Sequence, residues 1–131
     1  MTNGKAGKGV AEFRTVLGEQ GEQLLRSLAD ISPDLARLVV EYPFGDIYSR
    51  PGLDLRTREL VAVAALAALG NARPQLKMHI HGAMNVGSTR EEVLEVILQM
   101  SVFAGFPAAL NGVSAVGEVL EERKGEPAHE R

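Results

Sequence analysis

The 131-residue chain contains no cysteine and no excess of positive charge. Without cysteine it can form neither disulfides nor Cys-ligated zinc sites, and it has no thiolate to act as a nucleophile. It has 14 Lys and Arg residues and 17 Asp and Glu residues, so its net charge is −3. Nucleic-acid-binding surfaces usually carry a basic stripe, so nucleic acid is not an expected partner.

Long apolar segments are absent as well. The longest uninterrupted apolar run covers residues 60–69, about half of the roughly 20 residues that a membrane-spanning helix needs. Residues 1–9 are polar and glycine-rich, with no apolar core of a signal peptide behind them. The sequence therefore predicts a cytoplasmic protein that does not bind membranes.

What the chain does contain is a succession of helix signals. Apolar residues recur at helical spacing through residues 10–31. Ser32 followed by Pro33 predicts the start of a second helix, because serine caps helix ends and proline fits the first turn. That helix should end at residues 42–43, because the residue before a proline disfavours the helical conformation. Residues 44–54 should form a loop.

The rest of the chain continues in the same way. Thr89 and Glu92 have the spacing of a capping box, in which each side chain bonds to the backbone of the other residue. The remaining helices are predicted over residues 55–69, 74–86, 90–103 and 107–122. The sum is an all-α, single-domain bundle of six to seven helices over residues 10–122, between disordered segments at residues 1–9 and 123–131.

The helix that contains residues 60–69 is apolar on every face. A helix of this kind must be buried on every side. It should therefore lie either at the centre of the domain or in a subunit interface, and the interface alternative predicts a homo-oligomer.

His79 and His81 are the first candidates for chemistry. On a helix, two residues separated by one position point about 200° apart, so the pair is a weak metal motif and no metal site is expected. The simplest interpretation is that one histidine is a core residue with its hydrogen bonds satisfied and the other is an interface residue. The alternative is that one of them is catalytic, since histidine titrates near neutral pH.

Three charged residues complete the set of candidates. Glu59 directly precedes the apolar run, so it is either a partly buried carboxylate that needs a partner or an exposed one favoured by the helix N-terminus. Arg50 lies in the predicted loop and Arg58 beside Glu59. Either guanidinium could hold a substrate carboxylate through paired hydrogen bonds, although most surface arginines bind nothing.

These residues, in this order, resemble the carboxymuconolactone decarboxylase family, whose fold is shared with alkylhydroperoxidase D. The resemblance covers residues 40–112. It depends on GDIYSRPGL at 45–53, TREL at 57–60, LKMH at 76–79, GAMN at 82–85 and GFPAA at 105–109, with Gly87, Thr89, Glu92 and Gln99 between them. The resemblance implies an all-α fold that assembles into trimers or hexamers, with active sites around His79 near the subunit contacts.

The resemblance also implies a chemistry. The peroxidase branch of the family needs a Cys-x-x-Cys pair before the histidine, and Ala72 and Gln75 stand near those positions, so thiol peroxidase activity is excluded. The decarboxylase branch needs neither cysteine nor a cofactor. The implied reaction is the decarboxylation of 4-carboxymuconolactone in aromatic catabolism, with His79 as general acid, Glu59 as its partner, and Arg50, Arg58 and His81 as substrate-binding residues.

Two departures from the decarboxylase pattern keep other functions open. Decarboxylases of this branch often carry arginine where His81 stands, and a small polar residue where Glu59 stands. The same fold could therefore act on another lactone or cyclic keto-acid, as a decarboxylase, isomerase or cyclase. A third hypothesis is a non-catalytic oligomeric binding or scaffold protein.

Overall fold

The computed structural model describes residues 4–125, and this part of the chain contains helices and no strands. In chain order the elements are α1 (Gly4–Ala29), α2 (Pro33–Val40), a π-helix (Glu41–Ile47), α3 (Leu55–Leu69), α4 (Arg73–Asn85), α5 (Arg90–Ala104) and α6 (Phe106–Glu122). The predicted all-α fold with six to seven helices is confirmed. The predicted Ser32 cap and the Thr89–Glu92 capping box are both present.

The chain divides into two compact units, Met1–Leu55 and Arg56–Arg131, where the sequence predicted one domain. The beginning of α1 also differs from the prediction, because residues 4–9 are helical rather than disordered. Gly9 explains part of this difference: it is buried, and a Cβ there would lie 2.7 Å from the carbonyl oxygen of Val40. The other residues predicted to be disordered, 1–3 and 126–131, lie outside the described residues, and 123–125 form a turn.

In the first unit, aromatic and aliphatic side chains of α1 pack against the π-helix. The rings of Phe13 and Phe44 meet edge to face at 5.1 Å, and Phe44 also packs on Tyr48 at 4.7 Å. Within α1, Gly18 has φ 51° and ψ −132°, a conformation open to glycine but strained for other residues. Gly18 therefore divides α1 into two straight helical segments.

The π-helix lies where the sequence predicted a helix end at residues 42–43 and a loop from residue 44, so this prediction was wrong. The backbone N–H of Tyr48 donates to the carbonyl oxygen of Pro43 at 2.7 Å, five residues back, which is the π-helical pattern. Proline removes one backbone donor but does not by itself end a helix. Here the buried ring of Phe44 stabilises the wider turn.

In the second unit, four helices enclose one apolar core. Its members are Val63 and Ala67 from α3, Leu76, Ile80 and Ala83 from α4, Val93 and Ile97 from α5, and Ala115, Val116 and Val119 from α6. A Cβ at Gly112 would lie 2.8 Å from Cγ2 of Ile97, so α6 approaches α5 closely at a residue without a side chain. Full burial of a side chain such as Ile97 contributes about 1.5–3 kcal/mol.

Helix α3 is not buried on every side. Val63 and Ala67 are buried, whereas Val61 is 57% exposed and Leu69 is 66% exposed. The prediction of a central helix is therefore wrong for the described residues. No helix among those residues is long and apolar enough to cross a membrane.

Candidate functional site

Glu59 and His79 form a hydrogen-bonded pair between α3 and α4. Nδ1 of His79 lies 2.9 Å from Oε1 and 3.1 Å from Oε2 of Glu59. The side chain of Glu59 is 0% exposed, while that of His79 is 20% exposed. The carboxylate is therefore an internal partner, and the imidazole is the member of the pair that solvent or a reactant can reach.

The geometry assigns the protons of this pair. A carboxylate only accepts hydrogen bonds, so Nδ1 of His79 carries the hydrogen that points to Glu59. The second ring nitrogen, Nε2, then either accepts a proton as a base or, in the imidazolium form, delivers one as an acid. Fixing one nitrogen in this way sets the tautomer and the orientation of the ring.

The two predicted arginines lie on different parts of the chain. Arg58 is half-buried on α3, next to Glu59 in sequence. Arg50 belongs to the first unit, where its backbone N–H donates to the carbonyl oxygen of Ile47 at 3.1 Å. A third arginine, Arg56, pairs with Glu92.

Glu92 accepts hydrogen bonds from two directions. Its side chain accepts from the backbone N–H of Thr89 at 2.9 Å as well as from Arg56. The Thr89 hydrogen bond first, and then the Arg56 guanidinium, lower the pKa of the Glu92 carboxyl. The start of α3 is thereby tied to the start of α5, within one helical turn of Glu59.

His81 is buried and bonded at both ring nitrogens, so the structure does not support its predicted role in substrate binding. Nε2 lies 2.8 Å from Oε1 of Glu122, and Nη1 of Arg123 lies 3.1 Å from Nδ1. The prediction considered substrate and subunit contacts. The actual partners are residues at the end of α6, 41 and 42 positions further along the chain.

These contacts belong to a polar seam that we call the α4–α6 ladder. On α4 it contains Arg73, Lys77, His81 and Asn85, and at α6 it contains Ser114, Glu118, Glu122 and Arg123. Members of each helix recur every fourth residue and so lie on one face. Hydrogen bonds first from His81 and then from Lys77 lower the pKa of Glu122. Glu122 first and then Glu118 raise the pKa of Lys77.

The sequence prediction did not include the ladder, although a signal for it was present. Positions 73, 77, 81 and 85 are all polar, as are 114, 118 and 122. A basic stripe on one helix and an acidic stripe on another indicate helices that pair along their polar faces.

A cavity of about 210 Å³ lies in the second unit, at the other end of α3 and α4 from the Glu59–His79 pair. Its walls are mostly small or apolar, with two polar residues. They are Leu66, Ala67, Gly70, Ala72, Arg73, Leu76, Ala108, Asn111 and Gly112. Neither Glu59 nor His79 is among these lining residues, and Leu76 lies one helical turn before His79 on α4.

No group of three or more His, Cys, Asp or Glu side chains able to hold a metal occurs among residues 4–125. Glu59 and His79 offer the chemistry of a positioned acid–base pair. Arg56 and Arg58 lie on the same helix as Glu59.

The all-α fold and the Glu59–His79 pair can now be set beside known protein families. Residues 33–118 match the model of the carboxymuconolactone decarboxylase family. The chain belongs to this family.

Its relatives include two decarboxylases. The chain is 38% identical over 113 residues to 4-carboxymuconolactone decarboxylase of Acinetobacter baylyi, covering 85% of this chain and 84% of that protein. It is 29% identical over 116 residues to nitrosuccinic acid decarboxylase of Metarhizium robertsii, covering 88% and 80% respectively. An uncharacterised 15.0 kDa protein of Paracoccus denitrificans is 34% identical over 99 residues, covering 75% and 74%.

Proposed function

We propose that the protein is a cofactor-free decarboxylase that acts on 4-carboxymuconolactone or a similar carboxylated lactone, within aromatic-compound catabolism in the cytoplasm. The observation that carries this proposal is the pair of a buried Glu59 and a partly exposed His79. The similarity to 4-carboxymuconolactone decarboxylase over most of both chains supports the choice of substrate.

The reaction needs only groups that the chain can provide. The bond between the ring carbon and the departing carboxylate breaks, carbon dioxide leaves, and the electron pair delocalises into the lactone carbonyl as a dienolate. The dienolate then takes a proton to give the enol-lactone product. We assign this proton transfer to Nε2 of His79, because Nδ1 is held by Glu59.

Binding of the retained carboxylate needs a cation. Arg58 is our candidate in the second unit, since it lies beside Glu59 on α3. A guanidinium can hold a carboxylate with two parallel hydrogen bonds. Arg50 stays a prediction for the same role.

A second candidate substrate class follows from the relative that acts on nitrosuccinic acid. A nitro group, like a lactone carbonyl, accepts the electron pair that decarboxylation leaves behind. The same acid–base pair could therefore serve a different carboxylate that is activated by a neighbouring electron-withdrawing group.

We also propose that the protein is a homo-oligomer, either a trimer or a hexamer. Large apolar side chains are exposed on α3, at Val61 and Leu69, and around the turn between α5 and α6, at Phe103 and Phe106. Exposed apolar surface of this kind is typical of protein–protein contacts.

The direct test is to incubate the purified protein with 4-carboxymuconolactone and, separately, with nitrosuccinate, and to measure carbon dioxide release. We expect turnover of the lactone and little or none of nitrosuccinate. The reverse preference would move the proposal to the second substrate class. Turnover of neither, by a folded protein, would favour either another lactone or cyclic keto-acid as substrate or a binding or scaffold role.

A further inference from the structure

We propose that His81, Glu122 and Arg123 form a pH-sensitive clasp. While His81 is neutral, the clasp holds the C-terminal end of α6 against α4. When His81 takes up a second proton, Arg123 loses its contact with Nδ1 and the turn that follows α6 is released, while Glu122 stays bound to Nε2. The inference is independent of the proposed catalytic activity, since none of the three residues belongs to the Glu59–His79 pair.

The first step of the argument concerns the contact between Arg123 and His81. Every nitrogen of a guanidinium is a donor, and arginine stays protonated in proteins. Because Nη1 of Arg123 lies 3.1 Å from Nδ1 of His81, this ring nitrogen must present its lone pair. The hydrogen bond therefore exists only while Nδ1 carries no hydrogen.

The second step concerns the other ring nitrogen. Nε2 of His81 lies 2.8 Å from Oε1 of Glu122, and a carboxylate can only accept. Nε2 must therefore carry the hydrogen. The neutral Nε2–H tautomer satisfies both contacts at once, whereas the Nδ1–H tautomer satisfies neither.

Protonation has opposite effects on the two contacts. The bond to Glu122 becomes charge-assisted and strengthens. At Nδ1, a new N–H group faces an N–H group of Arg123, so a hydrogen bond is replaced by the repulsion of two cations. His81 is buried, which limits screening of that repulsion by water. Arg123 can relieve it by moving away from α4.

Among the described residues, charged groups of the α4–α6 ladder surround His81. Glu122 and Arg123 face it from the end of α6, and Lys77 and Glu118 lie one helical turn away along the ladder. Helix α5 faces the shared core with Val93 and Ile97, which carry no charge.

The released element is defined by its hydrogen bonds. Arg123 follows α6, and its backbone N–H donates to the carbonyl oxygen of Val119 at 2.9 Å, while its side chain also reaches Oδ1 of Asn85 at 3.1 Å. Loss of the His81 contact removes one of the side-chain ties between this last turn and α4. The turn should then open more often, although the core of the unit is unchanged.

The test uses the full chain labelled with ¹⁵N. Ring nitrogen shifts report the tautomer and protonation of each of the three histidines, and His81→Gln identifies the His81 signals. Hydrogen exchange at the backbone amide of Arg123 reports opening of the last turn. At neutral pH we expect the Nε2–H tautomer. As His81 becomes protonated, protection at Arg123 should fall about tenfold, with the same midpoint, since one hydrogen bond is lost.

Two variants separate the clasp from general acid sensitivity. His81→Gln keeps a neutral donor and acceptor but cannot titrate, so the step in protection should disappear. Arg123→Ala removes the clasped side chain, so the backbone amide of residue 123 should show low protection at every pH and no step. This variant tests the clasp even if His81→Gln does not fold. The amide of Glu92, in the capping box, is the internal control and should not change.

Three results would overturn the clasp. The first is an Nδ1–H tautomer of His81 at neutral pH. The second is hydrogen-exchange protection of the Arg123 amide that does not change when His81 is protonated. The third is a pH-dependent step in this protection that persists in Arg123→Ala or His81→Gln.

Discussion

Replacement of His79 by glutamine tests the proposed catalytic pair most directly. The glutamine side-chain amide can donate to Glu59 in place of Nδ1, so the buried carboxylate keeps a partner. What is lost is a group that titrates. If Nε2 of His79 delivers the proton to the dienolate, turnover should fall by roughly 10²- to 10⁴-fold, equivalent to about 3–5 kcal/mol in the activation barrier.

A comparison with His79→Ala separates chemistry from folding. Alanine removes the hydrogen bond to the fully buried Glu59, and hydrogen bonds to charged groups contribute about 1.5–3 kcal/mol to stability. We therefore expect His79→Ala to be both inactive and less stable. His79→Gln should be equally inactive but close to the parent protein in stability.

Glu59→Gln completes the series. The variant keeps an oxygen that can accept from Nδ1 but removes the charge that favours the imidazolium. The loss should be smaller, about 10- to 100-fold.

The assay is carbon dioxide release from 4-carboxymuconolactone at several pH values, with circular dichroism and size exclusion on each variant. A folded His79→Gln protein with near-normal turnover would remove the histidine from the mechanism. Equal losses of turnover in all three variants would show that the pair has a structural role instead.

Four further outcomes are expected. Thr89→Ala, which removes half of the capping box, should lower the free energy of unfolding by about 0.5–2 kcal/mol in urea titrations; no change would contradict the role of the cap. Because the pKa of Glu122 is lowered in the folded protein, ionised Glu122 stabilises the fold at pH values above the ordinary glutamate pKa. This stabilisation is lost as the pH falls through the lowered pKa. Stability measured by urea should therefore fall in acid, and less steeply in Glu122→Gln. Light scattering should give a trimer or hexamer at micromolar concentration, and a stable 14 kDa monomer would contradict it. Activity should survive dialysis against a chelator, and recovery only with a divalent metal would refute metal-free chemistry.

Local signals in the sequence predicted the features that depend on nearby residues. The bounds of α3, the Ser32 cap and the Thr89–Glu92 capping box each follow from residues within four positions of one another. The all-α fold followed from their sum. The pairing of Glu59 with His79, 20 residues further along the chain, was implied by the family resemblance. The local sequence indicated only that Glu59, if buried, would need a partner.

The features that the sequence did not predict depend on distant partners. Residues 4–9 belong to a helix that packs through Gly9 against the backbone near Val40. The polar, glycine-rich composition of this segment alone predicts disorder. The π-helix depends on Phe44 packing against Phe13. His81 was assigned to substrate through the family resemblance, whereas its partners Glu122 and Arg123 lie over 40 residues away.

The α4–α6 ladder has a consequence for how α6 is positioned along its axis. The core residues that α6 presents, Ala115, Val116 and Val119, are small and similar in shape, so among its apolar contacts it is mainly Gly112 against Ile97 that opposes a slide of one helical turn. The ladder opposes such a slide as well. A shift by four residues toward the N-terminus of α4 would leave His81 facing Arg123 without Glu122 between them, and a shift the other way would set Ser114 opposite Lys77. The charged contacts thus fix the position of α6 along its axis. The connection from α5 consists of the single residue Gly105, and its length must be compatible with that position.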